Sequence, residues 1–452
     1  MTKTRLIVIG GDAAGMSAAS NVRRKEPERE IVVFERSPHT SYSACGMPYF
    51  IAGLVETSEQ LVARTPETFR EKFNIDARVR QEVIELDLAG QRVRVKNLES
   101  GSESWEPYDQ LLIATGAEAI LPQLLGSDAD GIFGLSTLAS GIRVHRFLKQ
   151  QFPRRAVVVG GGYIGLEMAE ALVRLGLQVS LVERGEQVMG TLDPDMGVLV
   201  SEALREIGVT LYLQESLTGY ETANGRVTGV VTDQRTLPAE LVIVGLGTRP
   251  NSELAAAAGI TLGEKDSIRV NSRMQTSSDG VWAAGDCAES FHLVSRKPFH
   301  VALGTVANKQ GRVAGINLSG GYATFPGVVG TAVSKICNYE VARTGLMERE
   351  IRDLGLLYDT AVIKSKTRAG YYPGAGWITV KLLSEQGSGR LLGGQIVGLE
   401  GAAKRIDVLA TALTAGMTVQ QLVDLDLSYA PPFSPVWDPV QTAARQLISK
   451  GD

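Results

Sequence analysis

The chain has 452 residues, of which 44% are hydrophobic and 21% charged, and a formal net charge of −4. That length predicts two to three domains at roughly 150 residues each, in a composition typical of soluble globular proteins. The small negative charge excludes a general attraction to nucleic acid or to an anionic membrane, and three cysteines, at 45, 287 and 337, exclude a disulfide scaffold and lack metal-site spacing.

The N-terminus enters a strand at once, in Leu6-Ile-Val-Ile9, with no signal-peptide pattern before it. No apolar stretch approaches the roughly 20 residues of a membrane helix. Sparse cysteine and no apparent leader predict a reducing cytoplasm.

Residues 5–9 read as a buried strand. Gly10-Gly-Asp-Ala-Ala-Gly15 follows, then a helix over 16–24 and a second strand over 30–34 that ends at Glu35. Such a turn lets the backbone approach a pyrophosphate at the helix N-terminus, and Glu35 is placed to accept ribose hydroxyls. Asp12 replaces the middle glycine of G-x-G-x-x-G, but the spaced acid keeps the dinucleotide reading. Next comes Ser41-Tyr-Ser-Ala-Cys-Gly-Met-Pro-Tyr49. Cys45 is expected to open a helix with Gly46 and Pro48 in its first turn. A helix N-terminus favours the thiolate, so its pKa is expected below the free value of about 8.5. Tyr108-Asp-Gln-Leu-Leu-Ile-Ala-Thr-Gly116 reads as a strand closing in a tight Thr-Gly turn.

A second unit repeats the first. A strand over 156–159 leads into Gly160-Gly-Gly-Tyr-Ile-Gly165, a helix to about 175, and a strand over 178–182 ending at Glu183. All three motif glycines are present. Glu183 favours NADH, because a 2′-phosphate would meet its carboxylate; Arg184 moderates that repulsion and leaves NADPH open. Leu241-Val-Ile-Val-Gly-Leu-Gly-Thr-Arg-Pro-Asn251 leads back towards the first unit, and Asp279-Gly-Val-Trp-Ala-Ala-Gly-Asp-Cys287 is a strand ending in Gly-Asp. Beyond 325, strands over 361–364, 377–383 and 391–397 precede a helix over 402–415, an α+β pattern.

The expected fold is therefore α/β: two Rossmann-like dinucleotide-binding domains plus a C-terminal α+β domain. Its parts are an FAD-binding domain in two segments, 1–118 and 245–325, an inserted NAD(P)-binding domain, 119–244, and a C-terminal dimerisation domain, 326–452.

The ordered motifs resemble the single-cysteine branch of the pyridine nucleotide-disulfide reductases, in particular coenzyme A-disulfide reductases and NADH-dependent persulfide or polysulfide reductases. The most specific pieces are the Ser41–Tyr49 run and Tyr429-Ala-Pro-Pro-Phe-Ser434. The resemblance implies FAD, NADH and coenzyme A as cofactors and ligands, and a homodimer. It implies FAD contacts at Gly10, Gly11, Ala14, Gly15, Glu35, Thr115, Gly116, Gly285 and Asp286, the last holding the ribityl chain. Gly160, Gly162, Ile164, Gly165 and Glu183 fall to NAD, Gly247 is a further cofactor contact, and Glu167 matches a glutamate facing nicotinamide and flavin. Cys45 would cycle through a mixed disulfide, with CoA bound to it at rest. Tyr429, supplied by the partner subunit, would protonate the departing thiolate or polarise the sulfur; Tyr371 and Tyr372 are weaker candidates. CoA contacts would be Ser17, Asn21, Arg24, Ser41, Lys72 and Asn308.

Some positions depart from the pattern. The asparagine often preceding the cysteine is Ala44, and the lysine after the Pro-Pro motif falls at Trp437; both weaken CoA disulfide as substrate. The peroxidase and oxidase histidine of the first glycine loop is Ala13, and the C-terminal His-Pro motif is absent. His39, His145, His292 and His300 read as surface or structural residues. A fused rhodanese module is not expected. The rival readings are an NADH oxidase of the same branch and a flavoprotein that passes electrons to a small redox protein without a thiol.

Overall fold

A computed structural model describes residues 4–451. Two parallel five-stranded sheets follow one pattern except in the strand at one edge, which comes last in chain order in the first sheet and first in the second. The first runs Val281–Ala283, Gln110–Ile113, Arg5–Ile9, Glu30–Glu35, Asp76–Val79. The second runs Thr210–Leu213, Gln178–Glu183, Arg155–Val159, Leu241–Val244, Ile132–Gly134. In each, the strand before the glycine turn is buried nearly throughout, as in Leu6 to Ile9 and Ala156 to Val159. Continuous apolar strands are what a sheet covered on both faces requires.

The chain leaves the first sheet at Gln110–Ile113 and returns to it at Val281–Ala283. Two connecting strands, Ala117–Ala119 and Thr248–Pro250, pair antiparallel at the crossing. Asn251 fastens that crossing: its side-chain amide donates to the Thr115 carbonyl at 2.8 Å, and its own carbonyl accepts from Thr115 Oγ1 at 2.6 Å.

The first helix, Ala13–Lys25, starts three residues before the expected 16. Asp12, in extended backbone, is its N-cap, so the glycine turn runs straight into the helix. It ends before Pro27, which disfavours helical backbone in the residue preceding it. This helix lies on Gly304–Leu318, and the two approach closely. A Cβ on Gly311 would fall 2.3 Å from the Ala14 carbonyl oxygen. Only glycine permits that contact.

The C-terminal sheet is antiparallel, in the order Ala332–Ile336, Tyr339–Gly345, Leu391–Gly398, Trp377–Glu385, Tyr358–Lys366. The expected strands at 361–364, 377–383 and 391–397 are each longer by one or more residues, and the helix Ala402–Ala415 falls as expected. Ile406, Leu409 and Leu413 of that helix and Val440, Ala444 and Leu447 of the last pack onto Val380 and Leu382. Among the described residues no helix is long and apolar enough to cross a membrane.

This third sheet is locked to the second unit by a charge cluster around the buried Lys381 and Asp193. Lys381 places its ammonium 3.2 Å from Asp193, 2.7 Å from Asp195 and 2.6 Å from Glu348. Gln395 closes the cluster, donating to Asp193 Oδ2 at 2.7 Å and accepting from its backbone N–H at 2.8 Å.

Candidate active site

The two glycine turns are built alike. Gly10 and Gly160 hold positive φ, +106° and +103°. A Cβ on either would strike the carbonyl of Ala114 or Gly245 across the sheet, at 2.1 and 2.4 Å. Glu35 accepts the N–H groups of Gly11 at 2.8 Å and Ser37 at 2.7 Å. Glu183 accepts those of Gly161 and Gly185, both at 2.7 Å. Each acid is thus fixed at its strand end beside the turn, where a ribose would lie. Gly162 opens onto free space, as the approach of a pyrophosphate requires. Gly15 and Gly165 pack against the carbonyls of Gly10 and Gly160, so they serve the turn itself. Ala14 and Ile164 lie in the first turns of the two helices. Thr115 and Gly116 form the crossing already described, and Gly247, at φ +94°, borders the second strand of that crossing.

Asp286 supplies an independent test of cofactor fit. Its Oδ1 is buried with no hydrogen-bond partner among the described residues. Burial raises its pKa to about 6, against a backbone hydrogen bond from Leu303. A buried acceptor of this kind calls for a donor. Gly285 before it, at φ +86°, faces Ala14 of the first turn. The orphan acceptor, the glycine turn and the fixed Glu35 together fit FAD, whose ribityl hydroxyls would satisfy Asp286.

Cys45 sits in a short 3₁₀ turn, Ala44–Gly46, followed by the helix Met47–Ile51. It is the one exposed cysteine; Cys287 and Cys337 are buried. Met47, Phe50 and Ile51 dock against Leu138 and Leu166 of the second unit, so the sulfur lies in the crease between the two units. The loop before it is tied to the first glycine turn. Ser41 N–H donates to the Gly11 carbonyl at 3.0 Å, and Tyr42 N–H to Asp12 Oδ1 at 3.1 Å. Ser41 adopts φ +47°, a left-handed conformation that costs a serine energy. The structure thus accounts for Asp12 in place of the middle glycine: its carboxylate holds the cysteine loop. Burial raises the Asp12 pKa to about 7.

The expected lowering of the Cys45 pKa is not found. Burial, Glu167 and Asp286 push the thiol up instead. The helix behind it has only five residues, too short to offset two nearby carboxylates. Glu167 reaches the crease from the second helix, Tyr163–Arg174, and accepts a hydrogen bond from Ser334 Oγ at 2.7 Å.

Four of the expected substrate residues lie together. Ser17 donates to the Asn308 carbonyl at 3.1 Å, Asn21 to the Ser17 carbonyl at 2.8 Å, and Arg24 to Asn21 Oδ1 at 3.4 Å. They form one polar strip where the first helix meets Gly304–Leu318. Lys72 stands apart on Pro66–Phe73. Tyr429 and Tyr371 are exposed on the C-terminal domain and hydrogen-bond each other. Tyr372 lies beside the Arg368 guanidinium. The charges that act on Cys45 come from Glu167 and Asp286, not from this tyrosine pair. His292 and His300 are buried and structural: His292 accepts from Ser295 N–H, and burial lowers its pKa to about 4, while His300 bonds the Asp286 carbonyl.

Asn251, Ser334 and the role of Asp12 escaped sequence reasoning. Asp12 was signalled by its break in the glycine motif. Asn251 and Ser334 act on residues remote in sequence and carry no local mark.

Comparison with known proteins places this geometry. Residues 4–311 match the pyridine nucleotide-disulphide oxidoreductase model, and residues 331–439 its dimerisation domain. The NAD(P)H coenzyme A polysulfide/persulfide reductase of Pyrococcus horikoshii is 41% identical over 446 residues, covering 98% of each chain. An NADH oxidase of Methanocaldococcus jannaschii is 36% identical over 99% of each chain. The solved NAD-dependent persulfide reductase of A. fulgidus superposes with a TM-score of 0.96 at 41% identity, covering 99% of this chain and 83% of that one.

Proposed function

The chain belongs to the pyridine nucleotide-disulphide oxidoreductase family, and we propose that it is a homodimeric, cytoplasmic FAD enzyme that spends NAD(P)H to reduce CoA disulfide or related CoA persulfides and polysulfides at a single cysteine. The observation that carries the reading is Cys45: one exposed thiol in the crease between two dinucleotide units, with the other two cysteines buried elsewhere. We assign 1–118 and 245–325 to FAD, 119–244 to the nicotinamide nucleotide and 326–452 to dimerisation.

Bound FAD would supply a two-electron relay between nicotinamide and the Cys45 sulfur. The chain's own residues do the rest. The Cys45 thiolate attacks one sulfur of the substrate, forming a Cys45 mixed disulfide and releasing one thiolate. Two electrons, drawn from NAD(P)H, then cleave that bond and return Cys45 to the thiolate, and the second substrate sulfur leaves as a thiolate that takes up one proton. Glu35 and Asp286 hold FAD, Glu183 selects NADH over NADPH, and Glu167 lines the crease. The strip of Ser17, Asn21, Arg24 and Asn308, with Ser41 and Lys72, receives CoA; Arg24 meets a phosphate. Tyr429 acts on the partner subunit's sulfur.

The test is a mass spectrum of the native protein with and without reductant. Loss of one CoA mass per subunit, absent in Cys45→Ser, is the expected result. An unmodified Cys45 that turns over no disulfide would sink the reading.

The Methanocaldococcus relative favours a second reading, an NADH oxidase. Ala13 opposes it, since the first glycine loop offers no imidazole there to donate a proton. Oxygen consumption by the flavin-loaded enzyme decides between them.

A further inference from the structure

Glu167 and Glu170 stand one helical turn apart on Tyr163–Arg174, and one hairpin of the C-terminal domain, the strand Ala332–Ile336 and the turn after it, grips both. Ser334 Oγ donates to Glu167 Oε1 at 2.7 Å, and Cys337 N–H donates to Glu170 Oε2 at 2.8 Å. Lys335 between them bonds the Cys337 carbonyl at 2.6 Å and lies 4.0 Å from Glu170. The grip therefore treats the two acids differently. Glu170 has a cation beside it, whereas Glu167 has a single neutral hydroxyl. Ser334 is buried, so water does not compete freely for that bond.

We propose that Ser334 is a positioning residue that holds Glu167 in its ionised form and orientation, and through Glu167 sets how readily Cys45 ionises. The proposal rests on Cys45 as the reacting thiol. A hydroxyl donor stabilises the carboxylate over the carboxylic acid. The helix after Cys45 docks on the helix that carries Glu167, through Met47 and Leu166, so an ionised Glu167 opposes the Cys45 thiolate across that contact. Against Ser334, burial and Glu170 favour the neutral acid. The other groups facing Glu167 are Tyr163 on its own helix, with Arg343 behind it, and Tyr49 and Cys45 on the cysteine segment. None of these is a cation in direct contact with Glu167, so the serine bond is the chief local support of its charge. The C-terminal domain thereby reaches the reacting sulfur within one subunit, separately from any tyrosine the partner contributes.

The test is the pH dependence of Cys45 alkylation by iodoacetamide, followed by mass spectrometry on the reduced, flavin-loaded protein. As Glu167 ionises, the rise of the rate with pH should flatten, giving an inflexion. Glu167→Gln should abolish it and raise the rate. Ser334→Ala should move it upward by about half a pH unit or more and speed alkylation just below it, and Ser334→Thr should restore the wild-type profile. The inflexion from Asp286 should stay in place in all three variants. An inflexion that vanishes in Glu167→Gln but does not move in Ser334→Ala overturns the proposal. Failure of iodoacetamide to label Cys45 at all would instead overturn the thiol reading beneath it.

Discussion

Glu183 binds the Gly161 N–H at 2.7 Å, and its second oxygen takes the Gly185 N–H at the same distance. The carboxylate is thus locked in place beside the turn that approaches the dinucleotide. A 2′-phosphate entering there meets a fixed negative charge, while two ribose hydroxyls meet an acceptor. Glu183→Ala should narrow the preference for NADH over NADPH by about tenfold. Steady-state kinetics with both nucleotides check this. A wild-type enzyme that already prefers NADPH would show that Arg184 outweighs the carboxylate.

Asp286 should govern retention of FAD. Its buried Oδ1 lacks a partner among the described residues, so a bound hydroxyl removes a desolvated, unsatisfied acceptor. Asp286→Ala should weaken FAD binding on the order of tenfold to a hundredfold. The ratio of flavin to protein absorbance after dialysis measures it. Undiminished flavin content would remove Asp286 from the FAD site.

Lys381 should be a stability residue. Burial opposes its charge, yet the bonds to Asp195 and Glu348 and the nearby Asp193 hold its pKa above the ordinary lysine value. That contribution is complete below about pH 10.4 and fades only as pH rises through the raised value. Glu348 is held low by Lys381 despite burial, so its share is present above about pH 4.3 and fades as pH falls through the depressed value. Lys381→Ala strands Asp193, Asp195 and Glu348 together and should cost about 3–5 kcal/mol. Urea unfolding should show the deficit at pH 7 and a smaller one near pH 4, where a Glu348 no longer held low by Lys381 takes up its proton. A deficit that is the same at both pH values would contradict the electrostatic account.

These residues also mark what was legible in the chain. The glycine turns and their acids at 35 and 183 are local patterns, set by strand burial and by a fixed distance along one βαβ unit. The Cys45 turn was equally local, and its position followed. The direction of its pKa did not, because Glu167 and Asp286 come from other parts of the chain. Lys381 looked like any polar strand residue until Asp193 and Glu348 closed on it. The first helix starts earlier than the sequence pattern indicates, because Asp12 breaks the glycine motif and yet caps the helix. Contacts between segments remote in sequence leave no periodicity, and those are the contacts that escaped.

The sulfur chemistry gives the most direct prediction. If Cys45 alone reacts, full reduction of the resting enzyme should release one small thiol per subunit. Cys45→Ser should bind FAD and accept hydride from NADH but lose disulfide and persulfide reduction. Cys287→Ser and Cys337→Ser should retain both, since these sulfurs are buried and bonded to the carbonyls of Ile113 and Ala203. Tyr429→Phe should slow disulfide turnover more than flavin reduction, because its hydroxyl acts after hydride transfer. The raised Cys45 thiol adds a pH signature. Burial, Glu167 and Asp286 disfavour the thiolate, so alkylation in the flavin-free protein should still be rising above pH 9. Iodoacetamide rates across pH 6 to 10, read by mass, test this. A rate that levels off near neutral pH would show that the carboxylates do not control the sulfur, and disulfide reduction surviving in Cys45→Ser would end the single-thiol mechanism.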